Sequence, residues 1–170
     1  MKFGSSCVRT VLLALVLLAN GAAPIHAQSS FFRDLVLKPR ASQADGVRMV
    51  AILLGHKQGE LESDMDLLRN HGILPREWSP SADEPLSKGY EALLLVRALE
   101  LDGGVGARIW GWSKRRAFRE LVQLRIMPPK GGPHAKLTGP EVITLLDRAA
   151  QRRKSHQAHD AEHEGKGSNL

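Results

Sequence analysis

Apolar residues recur three and four positions apart along most of the chain, and no useful stretch alternates with a period of two. That spacing predicts helices and no sheet. From Ser42 to Leu54, Val47, Val50, Leu53 and Leu54 form one stripe; Ser42 can cap it together with Asp45, and Gly55 stops it. From Leu61 to His71 the stripe is Leu61, Met65 and Leu68, with Gly72 as a left-handed terminator and Pro75 forbidding continuation. Ala92 to Val96 is apolar without a break, which suits a helix buried on most of its circumference. Ser113 opens a helix with Ala117, Phe118, Leu121 and Val122 on its apolar side, ended by Pro128-Pro129. The last helix starts at a Thr138/Glu141 capping box and buries Val142, Leu145, Leu146 and Ala149. The loop of residues 75–85 holds three prolines and is expected to be pinned to the core by Trp78.

The pattern is stated twice. Gly72-Ile73-Leu74-Pro75 with Leu86-Ser87-Lys88-Gly89-Tyr90-Glu91-Ala92 returns as Arg125-Ile126-Met127-Pro128 with Leu137-Thr138-Gly139-Pro140-Glu141-Val142, 53 residues later at the prolines and 51 later at the caps. The loop absorbs the slip, and a recurrence at this period marks a structural module. Ser42 to Leu54 has the form of the second helix of one more, truncated, copy.

Composition places this domain. Lys2 and Arg9, the apolar run Val11 to Ala19 and the small residues leading to Ala27 have the three regions of a secretory leader, so residues 1–27 are expected to be removed on export. The apolar run is shorter than the roughly 20 residues a membrane span needs, so no transmembrane helix is expected in the mature chain. Cys7 is the only cysteine, which leaves the mature chain without disulfides or thiolate chemistry. Without Lys2 and Arg9, 22 Lys and Arg stand against 18 Asp and Glu, a mature net charge of +4. For an exported protein that excess points to an anionic envelope polymer or an acidic protein surface as partner, and not to nucleic acid. Beyond Gln151 apolar residues vanish, so residues 151–170 are expected to form a disordered basic tail. The boundaries that follow are a leader at 1–27, a linker at 28–41, a helical domain at 42–150 and the tail.

The segment Leu137-Thr138-Gly139-Pro140-Glu141-Val142-Ile143-Thr144-Leu145-Leu146-Asp147-Arg148-Ala149 resembles the signature helix of S-layer homology domains, which opens Ile/Leu-Thr-Arg-Ala-Glu and runs through leucines to Arg-Ala. Leu86 to Ala98 resembles it more weakly. The resemblance implies all-α helix-loop-helix repeats packed as one small domain that attaches to, or serves, the cell envelope. The family's polymer-binding Arg is replaced by Gln43, Lys88 and Gly139, so Lys88 alone keeps a cation there, without the paired donors of a guanidinium.

Candidate chemistry is sparse. Trp110-Gly111-Trp112-Ser113-Lys114-Arg115-Arg116 puts three cations into the first turn of a helix, against its dipole, where an anion is favoured. Arg115, Arg116 and Arg119, with Trp110 and Trp112 beside them to stack on sugar rings and Lys88 elsewhere, are the candidate anion-binding residues; a solvated face is the plainer alternative. His156, His159 and His163 stand at helical spacing among acids in the tail and could bind zinc, nickel or copper if the tail ordered. His56 and His71 sit beside helix-ending glycines, and Asp64 and Asp66 read as polar-face acids. No catalytic motif, phosphate loop or dinucleotide fingerprint is present, so neither enzyme activity nor a cofactor is expected. The reading is an exported, non-catalytic binding or structural module of the periplasm or cell envelope. The alternative is a periplasmic metal-binding or stress-related protein working through its tail; the sequence is silent on oligomeric state.

Overall fold

A computed structural model describes residues 25–56, 59–102 and 111–166, with side chains from 30 to 158. Among these residues the chain is all helical, without a strand: α1 Ile25–Leu37, α2 Gln43–Leu53, α3 Leu61–Asn70, α4 Lys88–Ala98, α5 Lys114–Gln123 and α6 Gly139–Lys166. Most of the expected leader, the glycines at 103, 104 and 106, and Trp110 lie outside the described residues.

Local chemistry sets the helix starts. The Asp45 carboxylate accepts from the Ser42 amide at 2.8 Å while the Ser42 hydroxyl accepts from the Asp45 amide, a complete capping box. Thr138 and Glu141 repeat it at α6. Ser87 caps α4 through the Tyr90 amide only, because an aromatic residue stands where the box needs an acid. Ser113 caps α5. The far ends are also alike: Gly55, Gly72, Glu100 and Arg125, the second residue past α2, α3, α4 and α5, all have left-handed backbone.

The residues just before three of the caps build the centre. The Leu86 amide donates to the Ala41 carbonyl at 2.8 Å, Ala41 to Leu137 at 2.8 Å, and Leu137 to Leu86 at 3.0 Å, a closed cycle of three hydrogen bonds between fully buried residues. A second cycle surrounds it, since the free first amides of these three helices, α2, α4 and α6, are met by a loop from another part of the chain. Gln43 and Ala44 donate to the carbonyls of Glu84 and Ser81, Lys88 and Gly89 to those of Ala135 and Pro133, and Gly139 to that of Lys38. Orphan helix amides are thereby satisfied where water is excluded. Gly139 must be glycine, because a Cβ there would run into the Leu35 carbonyl. Side chains of α1 to α6 close one core around the cycle, with Leu35, Met49, Leu68, Leu94, Leu121 and Leu145 almost wholly buried.

One boundary differs from the sequence reading. Residues 28–41 are not a linker: α1 occupies most of them, packs against α6 and sends Leu35 into the core. At the other end, past Ala150, α6 leaves the core. It runs on to Lys166, and from 151 to 158 only Arg153 is other than exposed; its guanidinium donates to the Leu53 carbonyl at the end of α2.

Candidate functional site

A basic concavity lies where the starts of α4 and α5 meet the loop before α6. Ser87 and Tyr90 form one wall, Ser113, Lys114 and Arg115 the opposite one, and Pro133, His134 and Lys136 the third, around an open groove of about 590 Å³. Among the described residues, three obligate cations and a histidine line it, and no carboxylate does. Its shape follows from the fold: the loop is fixed by the Ala135 and Pro133 carbonyls bonded to α4, and Lys136 donates to the Pro85 carbonyl at 3.2 Å.

Tyr90 is the pivot. Trp78 stacks on its ring with centroids 4.6 Å apart and planes 15° apart, and the Lys114 ammonium lies 3.3 Å from the centroid of the same ring. A cation over an aromatic face gains about 0.5–1 kcal/mol when exposed. The contact holds Lys114 at the groove against the dipole of its own helix. Trp78 thus anchors the proline-rich loop as expected, by backing Tyr90.

The expected binding residues are divided by the structure. Arg115 is exposed and lines the groove; Arg119 is exposed one turn later, outside it. Arg116 is half-buried and donates to the Gly111 carbonyl at 3.0 Å. Trp112 is half-buried and packs against the core. Lys88 is buried: it donates to the Lys130 carbonyl at 3.0 Å and pairs with Glu141 at 3.4 Å, so its charge serves the junction of α4 with α6. Burial works to raise the Glu141 pKa, but the Thr138 hydrogen bonds and Lys88 outweigh it and hold the carboxyl below its ordinary value.

Sequence reasoning missed Tyr90, His134 and Lys136. A cue existed in the basic residues of the 130–136 loop, the counterpart of the proline-rich loop, but their approach to α5 is a matter of tertiary packing. Asp64 was also misread. It is buried, not on a polar face, and takes Arg48 at 3.0 Å and His56 at 3.2 Å, tying α3 to α2. His71, at the end of α3, meets the Leu67 carbonyl with its ring at 2.9 Å.

Among the described residues no three His, Cys, Asp or Glu side chains converge to hold a metal. His156 is exposed on α6, and the side chains of His159 and His163 lie outside the described residues. No described helix is long and apolar enough to cross a membrane. In comparisons with known proteins, no family model, curated protein or solved structure matches the chain.

Proposed function

We propose that this chain is an exported, non-catalytic binding or structural module of the cell envelope, similar in build to S-layer homology domains, whose groove between α4 and α5 takes an anionic envelope polymer or an acidic protein surface. The observation that carries the reading is the groove itself, lined by Lys114, Arg115, Lys136 and His134 with no carboxylate among the described lining residues. Like charges gathered around a concavity repel one another, and an anion seated there reverses the sign of that interaction. The export signal in residues 1–27 supplies the compartment.

The test is envelope co-sedimentation of the mature chain at low and high salt. Exposed ion pairs contribute about 0.2–1 kcal/mol each and are screened over about 10 Å at 0.1 M salt. Retention should fall as salt rises, and Arg115→Glu/Lys136→Glu should lose most of it at low salt. Arg119→Glu, outside the groove, should change little. Retention of the double variant equal to that of the unaltered chain would remove the groove from the proposal.

A further inference from the structure

Glu91 lies in the first turn of α4 and is 0 % exposed. Neither carboxylate oxygen has a hydrogen-bond partner. Space for it comes from α2, where a Cβ on Gly46 would stand 2.6 Å from Glu91 Oε2 and 2.8 Å from a methyl of Leu86. Gly46, Glu91 and Val142 each stand four residues past a cap, Ser42, Ser87 and Thr138, so the carboxyl belongs to the layer next to the central cycle of hydrogen bonds. A core position held by valine in α6 and glycine in α2 is here held by an acid.

The charges on the elements around it are committed elsewhere. On α2, Asp45 pairs with Lys38 and Arg48 with Asp64. On α4 itself, Lys88 holds Lys130 and Glu141, while Arg97 donates to the Ile73 carbonyl. On α5, Lys114 rests on Tyr90, Arg116 donates to Gly111, and Arg115 and Arg119 face solvent; on α6, Glu141 is held by Thr138 and Lys88. A lone carboxylate in such surroundings is far costlier than a neutral carboxylic acid.

We propose that Glu91 is a neutral acid built into the junction of α2 and α4, and that its ionisation makes the domain progressively less stable from acid to mildly alkaline pH. Burial as the sole cause carries its pKa from 4.5 to about 8. The sign follows from proton binding. Between those values the unfolded chain has released the proton and the folded chain keeps it, so stability is full below the lower value and falls until pH reaches the upper one. Over that window the unfolding constant rises about tenfold per pH unit. Ser87 and Tyr90 lie on the same turns of α4 as Glu91, so loosening there reaches the groove; the proposal itself rests on the fold and not on any ligand.

The experiment compares urea unfolding of the full mature chain with Glu91→Gln and Glu91→Leu between pH 5 and 8.5. Other titrating groups are shared and cancel in the comparison. The ratio of the unfolding constants, unaltered chain over either variant, should climb about tenfold per pH unit until about pH 8. Parallel profiles would overturn the proposal. Should both variants fail to fold, side-chain carboxyl NMR of ¹³C-glutamate-labelled unaltered protein decides independently: one glutamate still protonated at neutral pH supports the proposal, and all glutamates titrating in the ordinary acid range refutes it.

Discussion

Glu100 and Arg125 have the backbone that Gly55 and Gly72 have at the same place past their helices, with φ of 52° and 58°. An L-residue with a Cβ pays about 1–2 kcal/mol for this conformation, and glycine returns part of that through its looser unfolded chain. Both side chains are exposed and neither contributes a side-chain hydrogen bond in the structure, so little else is lost on substitution. Arg125→Gly should therefore raise stability by about 0.5–1 kcal/mol in urea unfolding. A loss of stability would mean that the arginine side chain contributes packing that outweighs the strain. The correspondence of Arg125 with Gly72 is visible in the aligned sequence, but its backbone is not. Glu100 was hidden, because the glycines at 103 and 104 offered a more obvious stop three residues further on.

Caps and stops were legible at the level of elements because they depend on four or five neighbouring residues. Ser42, Ser87, Ser113 and Thr138 all start helices where the sequence places them. Helix α1 was not legible, although Phe31 and Leu35 stand four apart, because Val36 and Leu37 blur the stripe and remain exposed. The distal part of α6 shows the converse. Gln, Arg, Lys, Ala and Glu favour helix without needing a core, so composition poor in apolar residues does not by itself end the element. Of residues 151–158 Arg153 alone is not exposed, and it meets the end of α2 where free carbonyls favour a cation. Truncation after Arg153 should leave stability within about 0.5 kcal/mol, as for a surface change, whereas Arg153→Ala should cost about 1 kcal/mol. Thermal unfolding of the two proteins side by side distinguishes them, and a large loss from the truncation would give the distal helix a structural role it does not show.

Across the whole molecule the two hydrogen-bond cycles leave no pair of helices self-sufficient. The loop before α2 meets α6, the loop before α4 meets α2, and the loop before α6 meets α4. The groove is a product of this arrangement: Tyr90, Lys114 and Lys136 come from three separate stretches, and nothing short of the packed fold brings them together. Sequence periodicity could find each wall and could not assemble them. Cooperativity is the testable consequence. A chain starting at Ser42, where the sequence reading began the domain, loses Leu35 from the core, the Lys38–Asp45 pair, the Ala41 amide that donates to Leu137 and the Lys38 carbonyl that meets Gly139. Burial of one leucine contributes about 2–5 kcal/mol, and total stability for a domain of this size is about 5–15 kcal/mol. The mature chain should unfold in urea with one transition, reported alike by tryptophan fluorescence and by helical circular dichroism. The Ser42 start should lose that cooperative transition or shift it far toward zero denaturant. Unchanged, coincident curves for the shortened chain would show that α1 is an appendage and that the cycle through Ala41 does not hold the core together.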